Sequence, residues 1–514
     1  MASFASADHW RLGKSRLATV ISWWYDRGSD NRALWIFLVL FVAVWTIFQV
    51  IAHWKVGVHK DLAEVFLWSR HPAASYQIHP PLAGLIGSLW FFIFPPANWS
   101  FYLLAMVNSA VALFGVDLIA RRYVAGDKRL LVLLLLLLTP FYQFHAARFT
   151  PNQILLSTWP LATYCFLRAF ESRTIGWSAL AGVTAALAML GKYYSIYLIA
   201  GLIVAALVDQ RRWPYLRSPA PWISIAAGLA VLAPHLYWLA RNGPGPFEYA
   251  LTGHGAPSVA DALWKASAYA IGGIAYVLLP VAVYLIAVNP LLRLLKAAFW
   301  PADPNRRMLV VLLTVPLLLP MLTAPVIGVE LTPLWTMSAW FLLPIVLLAP
   351  PEANPSRPAA VGVAIGVVLL TAVVLTASPV LAWRNFIVGC KSEVAYSPLF
   401  GRELTQIWRE VTGRALTIVN SDEVAVAWGV TFYSPDHPDA TAGLDSPYAP
   451  WVTKDRAETE GWAGICFAED QFCADRLVRQ SANRARVLRV ERTLIVSFFG
   501  RSSTARKFLF VVVP

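Results

Sequence analysis

Long apolar runs set the pattern of this chain. Between residues 33 and 383 they recur at about the 20 residues needed to cross a bilayer, and most of the Arg and Lys residues between them fall in every second loop. Runs at 33–52, 101–120, 130–145, 153–170, 177–190, 196–208, 222–240, 266–287, 308–327, 334–348 and 359–383 are predicted spans, about 11 transmembrane helices in all. The apolar stretch 81–94 is too short for a span. If it crossed, Arg121, Arg122, Lys128 and Arg129 would fall outside, against the positive-inside rule. It is therefore expected to lie along the outer membrane surface. Pro80 and Pro81 suit its first turn, where a missing N–H costs little. The basic loops 121–129, 211–217 and 293–307 then all face inward.

The pattern changes after 383. Charges become frequent and apolar runs shorten. The segments 415–420, 424–430, 463–468, 492–500 and 508–513 read as strands, and 404–413 and 470–482 as helices. The expected organisation is a polar N-terminus (1–32), a transmembrane unit (33–383, with a first outer loop at 53–100) and a small outer α/β domain (384–514). An α-helical polytopic membrane protein with surface helices and an appended α/β domain is the predicted fold class.

Composition sharpens this picture in three places. The net charge of +13 would suggest nucleic acid in a soluble protein, but here the cations lie mainly in loops between spans and act as topology signals, so nucleic acid is not an expected partner. The polar first 32 residues carry five basic side chains, read as an inward-facing start rather than a cleavable signal. Of four cysteines, Cys165 falls inside a span and Cys390, Cys466 and Cys473 lie in the outer domain. A Cys466–Cys473 bridge suits an oxidising compartment, and three free thiols are the alternative.

Candidate chemistry gathers on the outer side. Loop one carries Lys60, Asp61, Glu64, Arg70, His71 and His79 within a few turns. Ionisable groups beside a bilayer are costly and point to function. Asp61 and Glu64 are three apart and share one helix face, although acids are also common in a first helical turn. The other outer loops bring Arg148 and Asn152, then Lys192, Tyr193 and Tyr194, then Glu248, Tyr249 and His254. A carboxylate can act as general base on a hydroxyl, cations can hold a phosphate leaving group, and aromatic rings can pack on a sugar. Taken singly, Lys192 reads as a snorkelling side chain, Arg148 as a loop anchor, and His254 as an exposed loop residue. His59, His71 and His79 have no usual zinc spacing, and the chain has no Walker loop, no GxGxxG before a helix and no HExxH.

The run Asp61-Leu-Ala-Glu64, then Trp68-Ser69, then His79-Pro80-Pro81-Leu82, resembles the first extracytoplasmic loop of polyprenyl-phosphate-dependent glycosyltransferases of the GT-C fold. That group includes protein O-mannosyltransferases, the lipid A aminoarabinose transferase and rhizobial lipopolysaccharide galacturonosyl transferases. The likeness continues through 148–170 and 187–199, and covers roughly 33–210. It implies Asp61 as catalytic base, a periplasmic active site in the bacterial inner membrane, and a polyprenyl-phosphate sugar donor. The acceptor would be a hydroxyl of lipopolysaccharide, another glycolipid or an envelope glycan. Where the family commonly has a second acid in loop two, this chain has Asn152, which can position a hydroxyl but cannot take its proton.

The expected function is thus an inverting sugar transfer. Asp61 and Glu64 are its catalytic candidates, and His79, Arg148, Asn152, Lys192, Tyr193 and His254 its substrate-binding candidates. No cofactor is required, and a divalent ion at Asp61, Glu64 and His79 is left open. The rival readings are a flippase or transporter of lipid-linked sugars, which would want ionisable groups near mid-span, and a non-catalytic envelope scaffold.

Overall fold

The computed structural model describes residues 16–26, 31–288, 291–389, 392–444, 446, 448–482 and 484–514. Most of the basic N-terminal stretch and Cys390 lie outside them. Helix α1 is Arg16–Asp26 and α2, Asn31–Ala52, is the first span. Helices α3 (Lys60–Arg70) and α4 (Leu82–Ile93) belong to loop one, and α5 is Asn98–Ala120. With 12 residues, α4 is about 18 Å long, too short to cross. Its Leu82, Ala83, Gly84 and Gly87 are buried, whereas Leu89, Phe92 and Ile93 are exposed, as a helix lying along the membrane surface requires.

The bundle continues with α6 (Asp127–Leu136), α7 (Pro151–Ser172), α8 (Ile175–Gly191), α9 (Ile196–Val208), the short α10 (Arg212–Leu216), α11 (Ala220–Asn242), α12 (Gly245–Thr252) and α13 (Val259–Ala287). Then come α14 (Leu291–Phe299), α15 (Pro304–Ile327), α16 (Leu343–Leu348) and α17 (Arg357–Gly389). Among the described residues six helices are long and apolar enough to cross a membrane: α2, α5, α11, α13, α15 and α17. Shorter apolar helices, α8 and α9 among them, complete the bundle. The chain is a multi-pass membrane protein.

Two expected spans are not continuous helices. The third is helical only to Leu136; turns follow from 137, around Pro140, and lead to a 3-10 turn at His145–Ala147. The tenth is broken into 3-10 segments at Pro333–Ser338 and Trp340–Leu342 before α16. Much of this irregular backbone is buried within protein, where broken helices are tolerated at membrane depth. Elsewhere small residues bring helices together. A Cβ at Gly182 of α8 would stand 2.0 Å from the Ser224 carbonyl oxygen of α11, so only glycine permits that approach.

The basic loops meet at one end of the bundle. Arg121 and Arg129 pair with buried Asp117, Arg357 bridges Asp26 and Asp127, and Arg211 binds Asp209 and Asn305. The opposite end carries α3, α4 and α12, and there α17 delivers the chain to a C-terminal sheet.

The C-terminal elements are α18 (Ser397–Thr412), β1 (Ile418–Asn420), α19 (Val424–Tyr433), β2 (Asp439–Thr441), α20 (Lys454–Thr459), β3 (Trp462–Phe467), α21 (Gln471–Ser481), β4 (Leu488–Leu494), β5 (Ser497–Phe498), β6 (Arg501–Ser502) and β7 (Arg506–Val513). The main sheet has the order β2-β1-β3-β7-β4, parallel among β2, β1 and β3 and antiparallel from β3 onward. One face packs on α18 and the hydrophobic face of α19; α21 covers the other. The segment 424–430 is therefore a helix, not the expected strand. Apolar throughout, it carries no periodicity to distinguish the two. Cys466 and Cys473 are bonded, with Cα atoms 6.0 Å apart, and pin α21 to β3; Cys165 is a buried free thiol.

Candidate active site

Helix α3 is the backbone of the site. His59 is its N-cap residue, and the ring Nδ1 lies 3.3 Å from the Asp61 amide nitrogen and 3.4 Å from Asp61 Oδ2. Asp61 lies in the first turn, where the helix dipole favours a carboxylate, and Glu64 follows one turn later. Every residue from Leu62 to Ser69 is buried, because α4 packs on one side and α19 on the other. Phe66 shows how: it stands edge-on to Phe91 of α4 at 5.1 Å and to Phe432 of α19 at 5.2 Å.

A cavity of about 390 Å³ opens beside this helix. Loop one supplies Lys60, Asp61, Glu64, Trp68, Tyr76, Gln77 and His79. The start of α7 supplies Thr150, Pro151 and Asn152; Lys192 comes from the end of α8, Tyr249 and His254 from α12 and its following loop, and Trp335 from the broken tenth span. The C-terminal unit closes the cavity with Val424, Trp428, Ala440, Thr441, Ala442, Tyr448 and Ala449. These lie at the start of α19 and the carboxyl end of β2. Strand carboxyl ends are where ligands commonly bind in α/β sheets, and here the carboxyl end of the edge strand β2 faces the cavity.

The cavity thus has two chemically different walls. The C-terminal wall is uncharged and aromatic. The opposite wall holds the ionisable groups, and their surroundings set them apart. Burial opposes ionisation of Asp61, but the hydrogen bond and charge of His59, with Lys60 and Arg148, outweigh it and hold its carboxyl below the usual range. Burial, and then the nearby Asp61 charge, push Glu64 well up. Two carboxyls one turn apart are therefore pushed in opposite directions, Asp61 toward the ionised form and Glu64 toward the protonated one.

Lys192 follows α8 in extended conformation. Its Nζ donates to Asn152 Oδ1 at 2.6 Å and lies 4.3 Å from the centre of the Trp335 ring. Among the described residues it has no carboxylate within salt-bridge distance, and burial lowers its pKa to about 7. Burial and the Lys192 charge lower His79 to about 3 and lower His254 as well, so both imidazoles are neutral. No group of three or more His, Cys, Asp or Glu among the described residues is disposed to hold a metal ion; Asp61, Glu64 and His79 share the cavity without forming such a set.

Six of the eight expected site residues meet here: Asp61, Glu64, His79, Asn152, Lys192 and His254. Two do not line the cavity. Tyr193 turns away in the 3-10 turn after Lys192; its hydroxyl meets His235 Nε2 at 2.8 Å and its ring stacks on Phe247 at 4.3 Å. Arg148 is exposed at the end of the 3-10 turn preceding α7 and reaches Asp61 only through its charge. Trp335, Trp428, Thr441 and Tyr448 are wall residues that sequence reasoning missed. Val424 and Trp428 are four apart and share one face of α19.

With the geometry in place, known structures can be set beside it. The chain superposes on the crystal structure of ArnT from Cupriavidus metallidurans bound to undecaprenyl phosphate with a TM-score of 0.59 at 15% identity, covering 92% of this chain and 98% of that one. The apo ArnT structure gives a TM-score of 0.57 at 14% identity, covering 92% and 97%. The chain has the GT-C fold. Within the membrane half of this GT-C chain, residues 78–238 match the family described as dolichyl-phosphate-mannose-protein mannosyltransferase. A lipopolysaccharide core galacturonosyltransferase, RgtB of Rhizobium johnstonii, is 27% identical over 305 residues. That alignment takes in 57% of this chain and 61% of the relative, less than two thirds of its length.

Proposed function

We propose that this chain transfers a glycosyl group from a polyprenyl-phosphate donor to a hydroxyl of lipopolysaccharide or a related envelope glycan, at the periplasmic face of the inner membrane. The observation that carries this reading is Lys192. It is a cation in the same cavity as an ionised carboxylate, yet it is held by an amide oxygen and an aromatic face rather than by an acid. Such a lysine is completed by an anion from outside the chain, and a phosphate suits it.

The reaction follows from the placement. The acceptor hydroxyl oxygen attacks the anomeric carbon while the carbon–oxygen bond to phosphate breaks, and the phosphate leaves with the electron pair. Lys192 stabilises the charge that builds on that oxygen. Asp61 accepts the acceptor proton. Glu64, whose burial favours the protonated form, is placed to hydrogen-bond a sugar or phosphate oxygen, and Asn152 positions Lys192. Attack opposite the leaving group inverts the anomeric centre. Trp428, Tyr448 and, from the opposite wall, Tyr249 offer faces for sugar rings, and the uncharged C-terminal wall suits the acceptor.

The named relatives support this choice of partners: one is an ArnT crystallised with undecaprenyl phosphate, the other a galacturonosyltransferase of the lipopolysaccharide core. A transporter path is less well supported. Among the described residues the buried charged side chains are Glu64, Asp117, Arg129, Asp209 and Asp439; all lie near the two ends of the bundle or in the C-terminal unit. Purified protein in proteoliposomes, given polyprenyl-phosphate hexoses, uronic acids and aminopentoses with lipopolysaccharide acceptors, should yield a glycosylated product by mass spectrometry. Absence of any transfer across that panel, with correctly folded protein, would overturn the proposal.

A further inference from the structure

The hairpin β5–β6 stands apart from the main sheet. Its two strands pair Ser497 with Ser502 and Phe498 with Arg501, leaving a two-residue tip, Phe499–Gly500. Both tip residues have positive φ, 45° and 76°. That is the backbone of the tight hairpin turn that Asn-Gly or Gly-Gly would normally fill. A phenylalanine is strained there, and Phe499 is 87% exposed. A strained aromatic side chain left in water serves neither folding nor solubility.

The place of the hairpin explains it. Its base is fastened to Tyr396, whose hydroxyl lies 3.2 Å from Ser503 Oγ. Its other end reaches back to the last turns of α17: Phe498 packs on Phe386 at 5.3 Å and on Trp383 at 6.0 Å, and the Arg501 guanidinium lies 5.2 Å from the centre of the Trp383 ring. Helix α17 starts at Arg357, which is ion-paired among the basic loops. A hydrocarbon core of about 30 Å takes up about 20 of its residues, which puts Trp383 in the headgroup layer, where tryptophan concentrates. From Tyr396 to Trp383 the hairpin therefore runs toward the bilayer. Ile387 and Val388 on α17 and Ile495 before β5 are also exposed apolar residues of this region, and Arg384 and Arg501 are exposed cations.

We infer that the Phe499–Gly500 tip is a membrane anchor: Phe499 inserts into the headgroup and upper acyl region of the leaflet nearest the C-terminal unit, with Arg384 and Arg501 at phosphate level. The anchor holds the C-terminal unit at a fixed height over the cavity. It depends on the membrane topology of the chain and not on the chemistry of the cavity.

The test uses the full chain in lipid nanodiscs. In a Cys390→Ser background, with Cys165 buried and Cys466 bonded to Cys473, Phe499→Cys offers a thiol for an environment-sensitive fluorophore. Phe472→Cys is the control, since Phe472 is exposed on α21, on the sheet face away from the bundle. The label at 499 should show blue-shifted emission, quenching by lipids spin-labelled near the headgroup, and loss of iodide quenching relative to 472. Equal iodide quenching at the two sites would overturn the anchor. So would shielding that persists in lipid-free detergent dimers, which would assign the tip to a second copy. Because cysteine replaces the side chain in question, the wild-type chain is also irradiated with a lipid carrying a diazirine high on its acyl chain. Carbene adducts should appear on the peptide spanning 497–502 and not on 471–481, and their absence would refute the insertion.

Discussion

Replacing Lys192 by methionine tests the proposed donor site most directly. Methionine keeps much of the length and the contact with Trp335 but removes the charge. A charge-assisted hydrogen bond contributes about 1.5–3 kcal/mol, and a preorganised donor aimed at developing charge about 2.7–4 kcal/mol. These overlap rather than add, so kcat/KM for the lipid donor should fall by about 10²–10³-fold. Folding should survive, because Lys192 has no carboxylate partner among the described residues to strand, and its removal takes away a partly desolvated cation. A second readout separates charge from shape. With a pKa near 7, Lys192 loses its proton as pH rises, being about nine-tenths charged at pH 6 and about one-tenth at pH 8. Wild-type kcat/KM for donor should therefore decline above neutrality, and Lys192→Arg, charged throughout, should lose that decline. The assay is initial-rate transfer of a radiolabelled sugar from polyprenyl phosphate in proteoliposomes between pH 6 and 9. Near-normal kcat/KM in Lys192→Met, or an unchanged alkaline limb in that variant, would refute the reasoning and return Lys192 to a snorkelling side chain.

Further outcomes follow from the same geometry. Asp61→Asn should retain donor binding and lose about 10²–10⁴ in turnover, while Glu64→Gln, which keeps a hydrogen-bond donor, should be far milder; the reverse ranking in a purified side-by-side assay would move the base to Glu64. Trp428→Ala and Tyr448→Ala should raise KM for acceptor about 10-fold or more with donor KM unchanged, since stacked aromatic faces contribute about 0.5–1.5 kcal/mol beyond their buried area; unchanged acceptor kinetics would place the acceptor elsewhere. Cys466→Ser with Cys473→Ser should lower stability of the C-terminal unit by ~2–3 kcal/mol from the short closed loop, seen as a lower unfolding midpoint, and free alkylation of both thiols in the unreduced wild type would contradict the bridge. Alkaline phosphatase fused after Val513 should be active if the sheet faces the periplasm, and inactivity would invert the proposed topology.

What the sequence made legible was what repeats or what is locally costly. Spans with loops of alternating charge announce themselves, and so does a cluster of acids and imidazoles next to a bilayer. The short run 81–94 could be recognised as a helix too short to cross from its length alone, and α4 is such a helix. What stayed hidden depends on tertiary placement. The all-apolar run at 424–430 fits strand or helix equally, and only packing between α3 and α18 decides for helix, bringing Trp428 to the cavity. Lys192 and Tyr193 are neighbours in one outer loop, yet the extended backbone at 192 and the tight turn at 193 send them to opposite sides. Trp335 was hidden inside an apolar run that folds as 3-10 turns rather than a continuous helix, placing the indole under the Lys192 ammonium.

The two walls of the cavity come from distant parts of the chain, so something must fix their separation. Helix α3 does this with its two ends. Its first turn presents Asp61 to the cavity. Its C-cap residue, His71, places Nε2 2.7 Å from Asp439 Oδ1, the first residue of β2. Ala440, Thr441 and Ala442, which follow directly, belong to the opposite wall. Asp439 is buried, and a buried carboxylate is costly unless it is fully partnered. His71 meets one oxygen and Arg456 the other at 2.9 Å, while Trp451 stacks on the His71 ring at 4.5 Å. That network is a poor choice for stability alone, since apolar packing would serve as well. Its value lies in direction. A carboxylate gripped from both sides permits one register between β2 and α3, and a helix of 11 residues is a rigid spacer of about 16 Å. The distance from the carboxylate that takes the proton to the wall that would hold the acceptor is thereby set by the polar contact, not by the plastic fit of side chains around it.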